Sequence, residues 1–347
     1  MESILATIYD IARVANVSKS TVSRVLNNQS NISEESRQRV MEAITALDYQ
    51  PSKLARALTS SGFDAILVLF SRPSKTIVGN PYFSEMLNII TERAENENFD
   101  VIIQTAKNID EYERKCVEKI ENKMVKGLIM LSSPTDEKIL KTLDKYQIPI
   151  VVIGNITGHY RHVYSVDTDN KMDSFALCQS LITHGHRHIA CLHAPLNYHV
   201  SLDRVGGYKK AMMAAGLTLD KRLVIDCGFT IEEAYSATKD IMASPIKPTA
   251  IFATDAIKAM GIYRAIKEMD LRIPEDISVI GYNDEHIEPL LHPLMNGITI
   301  PIRGLGEVGA KIMFDHIFGR ATAAPYMQVK TMINEHESVK AVEVCTN

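Results

Sequence analysis

The chain has 347 residues, 46% of them hydrophobic and 23% charged, with a formal net charge of −4. This is an ordinary globular composition, long enough for two or three domains, and it carries no overall basic field of the kind that announces nucleic-acid binding. Five scattered cysteines without a C-x-x-C pair argue against a disulfide framework or a zinc site, and fit buried thiols in a reducing compartment.

Residues 7–50 read as three short helices. The first, TIYDIARVA, places Ile8, Ile11, Ala12 and Ala15 on one stripe. The second begins after Ser18, a good N-cap, and turns Val22, Val25 and Leu26 inward. The third begins near Ser33, has Glu34 and Glu35 in its first turn, and repeats Val40, Ile44 and Leu47. The link between the first two is short enough for a helix-turn-helix. Residues 52–62, SKLARALTSSG, carry Leu54 and Leu58 four apart; two turns of helix are too few to be stable alone in water. They read as a hinge that folds only against a partner.

From residue 64 the texture changes. Apolar runs of strand length recur: DAILVLF, DVIIQTA, GLIMLS, IPIVVIG, HIACLHA, LVIDCG, AIFAT and ISVIGYN. Amphipathic stretches lie between most of them, at 83–96, 111–123, 172–183, 203–215, 231–243 and 256–269. Strands buried on both faces and alternating with helices build doubly wound parallel sheets, and about eight strands suit two α/β lobes. No apolar run has the length of a membrane span, and the N-terminus lacks a basic segment followed by an uninterrupted apolar run, so the expectation is a soluble cytoplasmic protein.

The second helix carries the first functional signal. With its apolar residues turned inward, Lys19, Ser20, Ser23 and Arg24 face out. A major groove admits one α-helix, whose N-terminal residues reach base edges, and an Arg can grip guanine O6 and N7 with two hydrogen bonds. The charge supports this only weakly: residues 1–61 hold seven Lys/Arg and six Asp/Glu, a balance of +1, against 31 and 36, or −5, for the rest. A small solvated bundle with a polar face is an equal reading of these residues alone. The flanking pattern goes further. The segments TIYDIARVANVSKSTVSRVLN and ISEESRQRVMEAITALDYQPSKLARAL strongly resemble the DNA-binding headpiece of the lactose/galactose repressor (LacI/GalR) family. That resemblance implies that Lys19, Ser20 and Arg24 read bases. It also implies that Tyr9, Ser18, Thr21, Ser23 and Asn27 hold the backbone or brace the helix, and that Leu58 wedges into the minor groove at the operator centre.

The remainder resembles the same family's effector core. By that resemblance Asn80, Pro81, Tyr82 and Phe83, in GNPYFSEMLNII (79–90), line an effector cleft, and VDTDN (166–170) is a lobe-crossing segment that supplies Asp169. Arg204 of DRVGGYKKAM (203–212) contacts effector hydroxyls or carboxylates. IFATDAIKAMG (251–261) and PEDISVIGYND (274–284) contribute Thr254, Asp255, Asn283 and Asp284, and Phe229 serves as an aromatic platform. Carboxylates, an Arg fork, Asn and aromatic faces at strand carboxyl ends also suit a polyhydroxylated ring on chemical grounds. Three positions depart from the pattern: Asp173 where a small residue is usual, Ile300 where some relatives place a polar residue, and Asn283-Asp284 instead of two aspartates. The region TGHYRHVYSVDTDN (157–170) and the turn LHAP (192–195) resemble maltose-regulon repressors of Gram-positive bacteria, which would make the effector maltose or a maltodextrin.

Simpler readings compete at several positions. His184, His186 and His188 sit where a helix runs into a strand, so a cationic helix cap is favoured over a metal site. Asp255 and Asp284 could be catalytic acids, but no G-x-S-x-G elbow, P-loop or G-x-G-x-x-G accompanies them, and binding is the better role. Tyr82, Phe83 and Phe229 would count as core on composition alone. A sugar-acting α/β enzyme and a sugar-binding protein without a transcriptional role are the alternatives. The expectation is therefore an all-α helix-turn-helix headpiece (1–50), a hinge helix (51–61) and an α/β core (62–347) of periplasmic-binding-protein type. Two doubly wound parallel-sheet lobes share that core, lobe 1 over 62–162 and 295–326, lobe 2 over 163–294 and 327–347. The family resemblance implies a homodimer on a pseudo-palindromic double-stranded operator, controlled by a small effector, with no cofactor and no membrane partner. It allows a phosphocarrier protein as corepressor, as in some relatives. No leucine-heptad extension follows the core, which favours a dimer over a lac-type tetramer.

Overall fold

The computed structural model describes residues 6–26, 31–49, 62–70, 77, 79–105, 109–320 and 324–342. Asn27, Leu58 and the hinge segment 51–61 lie outside them. The chain divides into two compact units, Met1–Phe63 and Asp64–Asn347.

The first unit holds α1 (Ile8–Val14), α2 (Lys19–Leu26) and α3 (Glu34–Ala46). Its core is small and made as the periodicity predicts. Ile11, Val22 and Val40 are fully buried, Ala12, Ala15, Val25 and Ala43 nearly so, and Ile8, Leu26, Ile44 and Leu47 pack on them. The helix starts are capped by hydroxyls. The Ser18 hydroxyl accepts from the Thr21 amide at 3.1 Å, and the Ser33 hydroxyl from the Ser36 amide at 3.3 Å. Ahead of α1, the Thr7 amide and hydroxyl both donate to the Asp10 carboxylate, at 3.0 and 2.7 Å.

The second unit contains two six-stranded sheets. The first has the order β11-β5-β4-β3-β1-β2, built from β1 (Ala65–Leu69), β2 (Asp100–Gln104), β3 (Leu128–Met130), β4 (Ile150–Ile153), β5 (Val163–Asp167) and β11 (Tyr326–Gln328). The second has the order β12-β10-β9-β8-β6-β7, built from β6 (Ile189–His193), β7 (Val224–Asp226), β8 (Ala250–Ala253), β9 (Ser278–Asn283), β10 (Asn296–Thr299) and β12 (Ile333–Asn334). All pairings are parallel except β10 with β12. Apolar runs such as AILVL are buried along their whole length because helices cover both faces of each sheet. On one face of the first sheet lie α4 (Pro81–Asn96) and α11 (Ile302–Ile317), which put Met86, Ile90, Leu305 and Met313 into the core. The second sheet is covered by α7 (Asn170–Thr183) and α8 (His199–Ala214) on one side, and by α9 (Ile231–Ala243) and α10 (Ala256–Glu268) on the other. The shorter α5 (Ile109–Glu121) and α6 (Lys138–Leu143) complete the first lobe. The motif glycine Gly207 is required by the close approach of α7 and α8: a Cβ there would lie 2.3 Å from the Lys171 carbonyl oxygen.

The lobe boundaries differ from the expected ones. β5 belongs to the first sheet, so the first crossing follows Asp167 rather than falling near 163. β10 pairs with β9 in the second sheet, so the second crossing follows Thr299 rather than 294. β11 pairs with β5, so the third crossing lies between Gln328 and Ile333 rather than at 327. The reason is the same in each case. VYSVD, NGIT and YMQ are short or mixed in polarity, and none stands out as a continuous apolar run.

Candidate functional site

On the headpiece, burying Val22 and Val25 leaves Lys19, Ser20 and Arg24 exposed and Ser23 half-buried. Lys19 and Ser20 are held in place. The Lys19 ammonium sits 3.5 Å from the centroid of the exposed Tyr9 ring on α1. Its hydrogen bond and its charge pull the Tyr9 phenol below its ordinary range. The Ser20 hydroxyl lies 2.7 Å from the Ser18 hydroxyl, which also meets the Thr21 hydroxyl at 2.9 Å. Arg24 has no hydrogen bond or ion pair among the described residues, so its five donors are available to a ligand outside the chain.

In the core, the carboxyl ends of the two sheets face each other around a cavity of about 110 Å³. Residues after β3, β4 and β5 supply one wall (Leu131, Ser133, Gly154, Asp167); those after β6, β8 and β9 supply the other (Ala194, Thr254, Asp255, Asp284). This is where ligands of open α/β sheets bind.

The polar part of the wall is a chain of bonds. The Asn170 amide donates to Asp167 Oδ1 at 2.9 Å, and the Thr168 backbone N–H donates to the same oxygen at 2.8 Å. Asn170 Oδ1 accepts from Arg204 Nε at 2.8 Å, and Arg204 Nη1 donates to the Thr254 carbonyl. The guanidinium lies 3.6 Å from the centroid of Tyr282, whose hydroxyl is 3.0 Å from the Asn170 carbonyl and 2.9 Å from the Ser174 hydroxyl. Burial pushes the Asp167 carboxyl up to about 6, against the pull of the Thr168 N–H and the Arg204 charge. Asp167 Oδ2 and the Ser133 hydroxyl are buried without a hydrogen-bond partner among the described residues. Asp255 caps α10 through the Lys258 backbone N–H at 3.0 Å, and its other oxygen meets the Lys258 ammonium at 3.1 Å. Asp284 is buried; its Oδ1 accepts from the His286 N–H at 2.9 Å.

Of the residues singled out in the sequence, Asn80, Tyr82, Arg204, Thr254, Asp255 and Asp284 line the cavity. The others are placed elsewhere. Pro81 opens α4 behind its N-cap, Asn80. Phe83 is buried in the first-lobe core, edge-on to Phe70 at 5.7 Å. Asp169 caps α7 by accepting from the Met172 N–H at 3.0 Å. Asn283 is fully buried, and its amide holds the Met295 carbonyl at 2.9 Å. Phe229 stands edge-on to Tyr198 at 5.8 Å and is not part of the cavity wall. The polar residues that sequence reasoning missed are Ser132, Ser133, Asp167, Thr168, Asn170 and Ser201. Asp167, Thr168 and Asn170 stood inside the quoted VDTDN, Ser132 ends the GLIMLS run and Ser133 follows it, so strand-end position was the available signal. Two departures from the family pattern also find a place. Ile300 is part of the cavity wall, and Asp173 accepts from the Thr331 hydroxyl of the third crossing at 2.8 Å. His186 is committed to structure: its ring nitrogens lie 2.9 Å from the Thr249 hydroxyl and 3.1 Å from the Lys340 carbonyl.

Known proteins resemble this chain in sequence and in fold. Residues 7–52 match the family described as "Bacterial regulatory proteins, lacI family", and residues 53–295 match "Periplasmic binding proteins and sugar binding domain of LacI family". The "HTH-type transcriptional repressor PurR" of Shigella dysenteriae serotype 1 (strain Sd197) is 31% identical over 339 residues, covering 96% of this chain and 97% of its own length. A structure of the transcriptional regulator CelR in complex with cellobiose aligns with a TM-score of 0.72 at 26% identity, over 96% of this chain and all of that one. The lac repressor dimer bound to operator and an anti-inducer aligns with a TM-score of 0.80 at 22% identity, over 97% of this chain and 100% of its own, and so shares the fold. No helix among the described residues is long and apolar enough to cross a membrane. The chain belongs to the LacI family of DNA-binding transcriptional repressors, with a lacI-type helix-turn-helix headpiece and a ligand-binding core.

Proposed function

We propose that the core cavity binds a small, uncharged, hydroxyl-bearing effector, a sugar of about one ring, and that this effector controls the headpiece's affinity for a pseudo-palindromic operator. The observation that carries the reading is a pair of buried polar atoms in the cavity wall, Ser133 Oγ and Asp167 Oδ2, that have no hydrogen-bond partner among the described residues. Buried polar groups are almost always satisfied, so atoms left open in a cavity wall point to a ligand or water that completes them. Charge narrows the class. The wall holds three carboxylates, Asp167, Asp255 and Asp284, against the Arg204 guanidinium and the Lys258 ammonium behind it. A phosphate ester would enter a site with one surplus negative charge, whereas hydroxyls donate to carboxylates without a charge penalty. Size narrows it further. The cavity of about 110 Å³ is smaller than an engineered cavity of roughly 150 Å³ that accepts benzene, so even one sugar ring would enter only with some opening of the lobes, and a single ring is favoured over maltose or a maltodextrin. The cellobiose bound by CelR supports a neutral carbohydrate as the class.

On the DNA side, Arg24 reads a base edge, Lys19 and Ser20 reach edges nearby, and two copies of the chain occupy two half-sites. The effector acts on the angle between the lobes, whose covalent connections are the three crossings and which also meet where the Ser133 carbonyl accepts from the His199 N–H. That angle is passed on to the headpieces through the connection at 51–61. Thermal shift tests the effector class. The panel is ribose, glucose, maltose and cellobiose, their phosphate esters, and purine bases. A neutral monosaccharide should raise the unfolding midpoint, since a ligand at 100 times its Kd adds about 2.7 kcal/mol. Stabilisation by phosphate esters but not by the parent sugars would overturn this reading of the cleft.

A further inference from the structure

Among the described residues of the core, one lysine is fully buried. The side chain of Lys258, on the first turn of α10, is 1% exposed, and its ammonium has a defined set of neighbours. It lies 3.1 Å from Asp255 Oδ2, donates to the Gly228 carbonyl at 2.8 Å, and stands 5.8 Å from the centroid of Phe229. Its own backbone N–H donates to Asp255 Oδ1 at 3.0 Å. Both ends of one residue therefore fix a single carboxylate, and the same ammonium ties that carboxylate to the loop after β7. On that loop, Glu233 of α9 binds the backbone N–H groups of Phe229 and Thr230, each at 2.9 Å. Asp255 lines the cavity, while Lys258 stands behind it.

An ammonium is removed from water only at considerable cost, and a buried one survives where a carboxylate and further acceptors surround it. Lys258 thus has a demanding place that packing alone does not explain, since a methionine would fill the same volume. Resting on the reading of this cavity as the effector site, we propose that Lys258 is its positioning residue. Its ammonium orients the Asp255 carboxylate and cancels its charge, so the cleft offers Asp255 to hydroxyl donors as an acceptor without attracting cations. The β8–α10 and β7–α9 loops are held as one unit by the same contact. The other groups whose charge couples to Lys258 are Glu233 on α9, Cys227 after β7 and His193 at the end of β6. Burial drives the Cys227 thiol up to about 12 and keeps the His193 imidazole low, so neither carries charge near neutral pH, and Asp255 and Glu233 are the partners that matter.

The test is a double-mutant cycle on the full chain: Lys258→Met, Asp255→Asn and the two together, followed by thermal unfolding without ligand at one neutral pH. Lys258→Met strands a carboxylate and Asp255→Asn strands an ammonium, so each single variant should lose on the order of 10 °C. The double variant removes both charges and should recover at least half of the Lys258→Met loss. Lys258→Met should also bind the sugar that most raises the parent's midpoint about 2–12-fold more weakly, which a merely structural side chain would not change. A double variant that loses the sum of the two, or an unchanged sugar affinity, would overturn the proposal. If Lys258→Met does not fold, folding of the double variant supports the coupling. Failure of both, together with an Asp255→Asn variant as stable as the parent, overturns it. An effector screen without a hit would remove the reading of the cleft and leave this cycle standing; an additive cycle would remove the role of Lys258 and leave the cleft standing.

Discussion

The α2 face and the core cleft are both polar surfaces, and they are built in opposite ways. On α2, Lys19, Ser20 and Arg24 are exposed, their neighbours lie within a few positions in the chain or on the adjacent α1, and Arg24 has no partner among the described residues. In the cleft, the Asp167–Asn170 segment, Arg204 and Thr254 come from three distant parts of the chain and are bonded to one another before any ligand arrives. An exposed surface can be changed without touching the fold, because water replaces whatever is lost. A buried network cannot, because each group removed leaves its partner unsatisfied. Mutations in the two places should therefore fail differently, and that difference can be measured.

The sharpest test is Arg204 against Arg24. Arg204→Ala would leave Asn170 Oδ1, the Thr254 carbonyl and the Tyr282 ring without their cation, and would leave Asp167 buried without its nearest positive charge. Breaking a buried charged network by removing one partner costs about 3–5 kcal/mol, so this variant should lose core stability as well as effector response. Arg24→Ala should leave the urea midpoint within about 0.5 kcal/mol of the parent. Equal stability of the two variants would break the contrast. An Arg204→Ala chain of full stability and without effector response would make Arg204 a ligand contact rather than part of the frame.

Next in size is the titration of Asp167. Its carboxyl is raised to about 6 in the folded chain from an ordinary aspartate value near 4, so between those values the native state binds more protons than the unfolded one. Stability should then fall as the pH rises through that window and level off above the upper limit. The total is about 3 kcal/mol at 1.36 kcal/mol per unit. Asp167→Asn, which keeps the shape and one acceptor, should flatten this slope. Chemical denaturation at about pH 4 and about pH 7 measures it. A slope that survives the substitution would assign the proton to another group. On the headpiece the shifts run the other way: Lys19 lowers Tyr9 and the Thr7 hydrogen bonds lower Asp10, with too little burial to raise them.

The same contrast explains what could be read from the chain. The headpiece was legible because helix periodicity and hydroxyl caps are local. Ile11, Val22, Val25 and Val40 fell where the 3.6-residue repeat put them, and Ser18 and Ser33 stand at the helix starts. The sheets were legible where strands are continuously apolar, as in AILVL, and not where a strand sits at a crossing, as in VYSVD or NGIT. At the cleft, the loops at strand carboxyl ends were identified, but the choice of side chain within each loop was not reliable. VDTDN offered Asp167 and Asp169; the inward one depends on where β5 ends and α7 begins. Phe83 and Asn283 lie beside cleft residues in the chain but point into the core, a fact that only the backbone path fixes.

Operator recognition gives a smaller effect, confined to one surface. Arg24→Ala should cost about 1–3 kcal/mol on an operator selected from random-sequence DNA by the parent chain, and much less on unrelated DNA. The measurement is a pair of binding titrations at one fixed salt concentration, since phosphate contacts make affinity depend on salt. An equal loss on both DNAs would make Arg24 a phosphate contact and leave base reading to Lys19 and Ser20.

The smallest effect separates ligand from frame within the cleft itself. Ser133 follows β3, its hydroxyl is buried, and among the described residues it has no hydrogen-bond partner. Its backbone is not idle: its carbonyl accepts from the His199 N–H at 3.0 Å, where α8 of the second lobe meets the first. Ser133→Ala leaves that backbone contact intact and removes only the unpaired hydroxyl. Removing a buried polar atom that has no protein partner relieves a desolvation cost, so the ligand-free chain should be as stable as the parent or slightly more so. With an effector bound, the hydroxyl gains a partner worth about 0.5–1.5 kcal/mol, and its loss should weaken binding roughly 2–12-fold. Arg204 is expected to lose stability first and binding with it; Ser133 should lose binding alone. Calorimetry with the monosaccharide that most raises the unfolding midpoint, set beside urea unfolding of the same variant, makes the comparison. A variant that loses stability without ligand would mean that the hydroxyl belongs to the frame, held through an ordered water, and would move Ser133 to the side of Asn170 and Arg204.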